Sequence, residues 1–243
     1  MQEKLLSNQQ KLNDINYNYN KIEENICSAA AVSGRTRDDI IFLSATKTVE
    51  PQYINYAISL GLKYIGENKV QELLSKYDKY NLSDCSLQFI GHLQSNKVRQ
   101  IVDKVDMIQS VDSVKLAKEI ARQSIKHNKV TDILLEVNIG KEESKSGVFP
   151  EMLDELCESI SEIEGIKIKG LMTIPPICDN ASEISAYFSN MYNLFIDIKS
   201  KNVHNVNMEY LSMGMSSDYE EAIKCGANMV RIGSSLFGAR IYK

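Results

Sequence analysis

Eight short apolar runs, separated by longer amphipathic stretches, constrain this chain more than any other feature of its sequence. They read IIFLSATK (40–47), KYIGE (63–67), LQFIGH (87–92), MIQSV (107–111), DILLEVNI (132–139), IKIKGLMTI (166–174), MEYLSMG (208–214) and MVRIG (229–233). Runs this short, joined by segments long enough to carry a helix, are the strands of βα units, because parallel strands need a crossover connection. Eight is the barrel number, and 243 residues lie close to the ~250 typical of that fold. The expected architecture is therefore α/β, a single (β/α)8 TIM-type barrel domain over 1–243 with an added, polar N-terminal helix of roughly thirty residues. A doubly wound open sheet uses the same alternation and stands as the structural alternative.

Local signals agree. Pro51 and Pro150 stand near helix starts, where a missing N–H costs nothing, and Asp112 or Ser113 is placed to cap the next helix. Gly61, Gly165 and Gly226 each end an amphipathic run just before a strand, which suits the left-handed position that terminates helices. A formal charge of −4 argues against nucleic acid or an anionic membrane as partner, since both need a basic surface. The five cysteines are scattered and never in C-x-x-C spacing, so neither a disulfide framework nor a zinc site is expected. The opening MQEKLLSNQQKLNDI has no apolar signal region, and no run approaches ~18 apolar residues, so a cytoplasmic location is expected.

In βα folds the site lies at the carboxyl ends of the strands, which narrows the search. In the first run Ile41, Leu43, Ala45 and Lys47 share one face by the two-residue period, with Lys47 at the carboxyl end. Alone, that describes a solvated terminal lysine as well as a reactive one. The last run is sharper: if Val230 and Ile232 face the helices, Arg231 points into the barrel, where an unpaired guanidinium is disfavoured. Either it forms a structural ion pair with Glu136, which has inward parity on the fifth run, or it faces a ligand. After Arg231 comes GSS (233–235), and after the seventh run MGMSSD (213–218). Small residues let a phosphate approach the backbone, and hydroxyls with helix N–H groups complete an anion cradle. A phosphate cradle, a strand-end lysine and an inward arginine together suggest pyridoxal 5′-phosphate (PLP), whose phosphate, aldehyde and ring nitrogen each need one partner.

With SATKT (44–48), IGENKVQE (65–72), FIGHLQSNK (89–97), SKSG (144–147), GLMTIPP (170–176), LSMGMSSDYEEAI (211–223) and VRIGSSLFGAR (230–240) in order, the chain resembles the pyridoxal phosphate homeostasis protein family, relatives of the alanine racemase N-terminal barrel domain. The resemblance covers nearly the whole chain. It implies that Lys47 forms the internal aldimine, that Ser216, Gly233 and Ser234 bind phosphate, and that Arg231 faces the pyridine nitrogen. It further implies that Asn68 lines the cofactor, that Met213 and Gly214 pass beside the ring, and that Lys145 handles a second PLP. The bland roles of Asn68 and Lys145 are a helix cap and a surface charge. His92 follows the third run; His127 and His204 look peripheral, so no metal cluster is indicated. One departure stands out: members often carry a second lysine two residues after the first, where this chain has Val49 and then one extra residue before Pro51.

The implied function is that of a binding protein rather than an enzyme, holding PLP, buffering free aldehyde and passing it to apo-enzymes. The alternatives are a PLP-dependent amino-acid racemase and a Schiff-base aldolase on a sugar phosphate. Racemases bring a second domain, and only about ten residues follow Arg231.

Overall fold

A computed structural model describes residues 2–178 and 180–238. Eight parallel strands close on themselves in sequence order, so the open-sheet alternative falls away. In chain order the elements are α1 (Gln2–Val32), β1 (Ile41–Ala45), α2 (Pro51–Ser59), β2 (Tyr64–Glu67), α3 (Val70–Lys76), β3 (Ser86–Phe89), β4 (Met107–Val111), α4 (Val114–Lys126), β5 (Thr131–Glu136), α5 (Leu153–Ser161), β6 (Ile166–Met172), α6 (Ala181–Ser200), β7 (Val206–Ser212), α7 (Tyr219–Lys224), β8 (Met229–Ile232) and α8 (Ser234–Phe237). A 3-10 helix, Ser95–Gln100, joins β3 to β4 where the other units use α-helices. Each predicted run overlaps one strand, with β3, β5 and β7 starting one or two residues earlier than predicted. Ala239 and Arg240, the end of the 230–240 motif, lie outside the described residues.

Pro51 opens α2, Pro150 opens the 3-10 turn before α5, and Ser113 Oγ accepts from Leu116 N at the start of α4. Gly61, Gly165 and Gly226 all take positive φ (113°, 89° and 104°), as their places between helix and strand require. No described helix is long and apolar enough to cross a membrane.

The strand period divides the core. Outward residues such as Phe42, Ile65, Leu87, Phe89, Ile133 and Val230 form one large cluster with the helices. Inward residues fill the barrel itself: Leu43, Ile90 and Met229 on one side, Met107, Leu134 and Met172 on the other, with Tyr210 against both. This floor makes the barrel a packed core rather than a pore, so ligands are confined to its mouth. The N-terminal helix takes its stability from the same surface. Ile15, Ile22, Ile26 and Ala30 are buried on one stripe of α1, Asn18 Nδ2 donates to Leu236 O at 3.1 Å, and Asn25 Nδ2 donates to the Tyr219 hydroxyl at 2.9 Å. It thereby braces α7 and α8, the two short helices that follow β7 and β8.

Candidate functional site

Lys47 stands just past β1. Its neighbours Ile41, Leu43 and Ala45 pack inside the barrel, whereas Thr46 turns outward and donates to Gly66 O at 3.1 Å and Glu67 Oε1 at 2.8 Å. Alternation leaves Lys47, half-buried, on the side of the mouth. Val49 packs against the main core, so the position where relatives often carry a lysine is apolar and half-buried here.

Arg231 is inward and 4% exposed. Its Nη1 donates to Ser212 Oγ at 2.7 Å and its Nη2 to Thr173 O at 2.8 Å. Ser212 Oγ donates onward to Gln109 Oε1 at 2.7 Å, and Gln109 Nε2 donates to Gln88 Oε1 at 2.6 Å. A hydrogen-bonded chain thus runs over the apolar floor from β3 to β8. Burial pushes the guanidinium down to about 10, against the opposing pull of Glu136 and Asp218, and it remains a cation at neutral pH. Of the two readings open for Arg231, the ion pair with Glu136 is not formed among the described residues; neutral acceptors take its place. Glu136, 7% exposed, acts on Arg231 through space, and its Oε2 is buried with no hydrogen-bond partner among the described residues. Burial, reinforced by Asp112 and opposed by Arg231, pushes its carboxyl up to about 7.

The loops after β7 and β8 meet. Gly233 N and Ser235 N both donate to Ser216 Oγ, at 3.2 and 3.3 Å, and Ser235 Oγ donates to Ser216 O at 3.3 Å. Two amides therefore converge on one oxygen, the arrangement that receives an oxyanion. Gly233 is required: a Cβ there would stand 2.9 Å from Ala45 O. Gly214 is required too, with φ of 91° and Ala222 Cβ only 2.5 Å from where its own would be. Ser234, exposed, heads α8.

The remaining expected residues divide. Asn68 Oδ1, after β2, is buried without a hydrogen-bond partner among the described residues, which suits a ligand contact better than a helix cap. The Met213 side chain is fully buried in the outer core, leaving its backbone to border the site. Lys145 is drawn aside: its Nζ lies 2.5 Å from Glu142 Oε2 and donates to Pro175 O at 3.2 Å, tying the loop after β5 to that after β6. His92 Nδ1 bonds Ser146 Oγ at 3.1 Å, joining the loops after β3 and β5, whereas His127 and His204 sit before β5 and β7, at the opposite rim. Gln88, Gln109, Ser212 and Thr173 were not anticipated individually, and Ser235 only as part of the GSS loop. Three of them carried a signal: Gln88, Gln109 and Ser212 are polar residues at the parity that faces into the barrel.

In kind, these groups fit PLP. Convergent N–H groups suit its phosphate, a strand-end lysine its aldehyde, a fixed inward guanidinium its ring nitrogen, and the orphaned Asn68 amide another polar edge.

Comparison with known proteins agrees with that chemistry. Residues 52–241 match the family "Alanine racemase, N-terminal domain". The pyridoxal phosphate homeostasis protein of Aquifex aeolicus is 44% identical over 222 residues, covering 91% of this chain and 96% of the relative. A crystal structure of an unknown protein from Bifidobacterium adolescentis superposes with a TM-score of 0.89 at 32% identity, covering 93% of this chain and 96% of that one. PipY from Synechococcus elongatus, solved with PLP bound, superposes with a TM-score of 0.77 at 29% identity over 89% of this chain and 100% of its own.

Proposed function

The chain belongs to the pyridoxal phosphate homeostasis protein family, and from that premise we propose that it binds PLP at the barrel mouth, buffers the free aldehyde and delivers it to apo-enzymes. The observation that supports this most is the convergence of Gly233 N and Ser235 N on the Ser216 hydroxyl, beside buried Arg231.

When bound, the group supplies an aldehyde that condenses reversibly with amines and a ring nitrogen that, once protonated, draws electrons from an attached α-carbon. Lys47 supplies the amine. Ser216, Gly233, Ser234 and Ser235 hold the phosphate through N–H and hydroxyl donors. Arg231, kept in place by Ser212 and Thr173, is a permanent donor and has no base with which to exchange a proton at the ring nitrogen. Electron withdrawal is therefore weak, and the proposed role is storage and transfer without substantial catalysis.

The racemase alternative draws on one observation: Glu136 is an inward carboxyl held near 7, the range of a proton-transfer group. Two measurements separate the readings. A purified protein with a visible chromophore after incubation with PLP supports cofactor binding, and a colourless one favours a Schiff-base aldolase. α-Deuterium exchange on alanine and other amino acids, followed by NMR, should proceed far below racemase rates, since a missing proton-transfer group costs ~10²–10⁴-fold. Exchange with inversion at enzyme-like rates would establish the racemase.

A further inference from the structure

Behind the strand that ends at Lys47 lies a buried ionic cluster in which neither the floor nor the phosphate loops take part. Glu67, the last residue of β2, faces outward and is 0% exposed. Its Oε1 accepts from Thr46 Oγ1 at 2.8 Å, Lys76 Nζ at 3.0 Å and the Tyr80 hydroxyl at 2.5 Å. Lys76, at the end of α3 and 8% exposed, also donates to Thr46 O at 3.0 Å and to Glu72 Oε1 at 2.5 Å. Glu72 Oε1 in turn accepts from Thr48 N. Burial and the adjacent Glu67 raise the Tyr80 phenol, so it stays a donor.

These bonds are arranged around one residue. Thr46 and Thr48 flank Lys47, and each is tied by its backbone to the cluster, the first through its carbonyl and the second through its amide. Thr46 N also donates to Gly66 O at 2.9 Å. Thr48 adopts φ of 66°, a left-handed conformation that a β-branched residue keeps only where its surroundings enforce it. Taking Glu67 and Lys76 out of water is costly, and apolar residues of similar shape would often serve stability as well or better. A cluster whose bonds end on both neighbours of one lysine accounts for that cost by what it fixes.

We propose that Lys76, with Glu67 and Glu72, is a positioning element that fixes the backbone at Lys47 so that its amine meets an aldehyde ligand bound at the mouth. The inference rests on Lys47 being the PLP-binding lysine. Because the cluster lies on the outer side of β1 and β2 and its bonds join only residues between Thr46 and Tyr80, none of them in the loops after β7 and β8, its loss should impair capture by the amine and spare phosphate binding.

The test compares PLP with pyridoxine 5′-phosphate, its alcohol analogue, which keeps the phosphate and ring but cannot react with an amine. Wild type and Lys76→Met are titrated with both, followed by absorbance and induced visible circular dichroism for the aldehyde and by calorimetry for the alcohol. Lys76→Met should bind PLP at least about tenfold more weakly, with a changed dichroic band, and bind the alcohol within about twofold of wild type. Equal weakening of both ligands would reduce the cluster to a general structural role and overturn the proposal, as would unchanged PLP binding. If Lys76→Met does not fold, Glu72→Gln, which weakens the anchor on Thr48, is held to the same split and the same contrary outcomes. Failure of wild-type protein to capture PLP would sink the underlying reading and the proposal with it, whereas wild-type capture with an unaffected variant sinks the proposal alone.

Discussion

Arg231 and Ser212, on adjacent strands, share a 2.7 Å hydrogen bond inside the barrel, and the Ser212 hydroxyl donates in turn to Gln109 Oε1 at 2.7 Å. The guanidinium is thus oriented by a hydroxyl whose other bond is already committed. Removing that hydroxyl takes one partner from the buried guanidinium and one from the Gln109 side-chain carbonyl.

Ser212→Ala should therefore destabilise the protein by about 1–3 kcal/mol, the usual consequence of leaving buried polar groups unsatisfied. Urea unfolding at fixed pH measures it. A change within experimental error would mean that the chain from Gln88 to Arg231 does not hold the guanidinium.

Glu136 gives a pH prediction. Its carboxyl is raised from 4.5 to about 7 in the folded protein, so the native state keeps a proton that the unfolded chain has lost. Protonated in both states at low pH, the group then costs nothing; as pH rises from about 4.5 towards 7, stability falls, by a few kcal/mol at most. Glu136→Gln should flatten this part of the profile for ligand-free protein, gaining most relative to wild type near pH 8 and least near pH 4. Parallel profiles would contradict the shifted carboxyl.

Ser216 is the oxygen on which two amides converge, and Ser234 heads the helix beyond them. The double variant Ser216→Ala, Ser234→Ala should keep its fold and lose about 1–2 kcal/mol of PLP affinity, roughly a 5- to 30-fold rise in Kd. Unchanged affinity in an absorbance titration would remove the phosphate from this cradle.

Lys145 is bound to Glu142 and to Pro175 O, at the junction of two mouth loops. Lys145→Ala should leave equilibrium binding of PLP nearly unchanged but slow reactivation of a PLP-dependent apo-enzyme by loaded protein. Equal reactivation rates would end its proposed part in transfer.

Much of this was legible in the sequence because the strand period is two. Once Val230 and Ile232 are assigned to the helices, Arg231 must enter the barrel, and once Ile41, Leu43 and Ala45 are assigned to the floor, Lys47 follows at the mouth. Paired small-residue loops after the last two strands likewise announced an anion cradle. Closure of the sheet was legible from the count of eight runs and the chain length, not from the βα alternation itself, which serves open sheets as well. The partners were not legible: Ser212 and Gln109 are 103 positions apart, and only the shear of a closed barrel brings them together. Lys76 escaped for another reason. A lysine at a helix end reads as solvated, and nothing local reveals that Glu67, nine residues earlier, points outward into the same pocket. Lys145, which the resemblance assigns to a second PLP, is instead held by a carboxylate three residues before it, a partner that its place in a loop did not announce.

The account depends above all on Lys47 as the residue that captures PLP. Loading the protein with PLP, reducing with borohydride and mapping the modified peptide tests this directly. The label is expected on the peptide containing Lys47, with no fixed adduct at that peptide in Lys47→Ala. Label found mainly on another lysine, or undiminished in Lys47→Ala, would contradict the assignment.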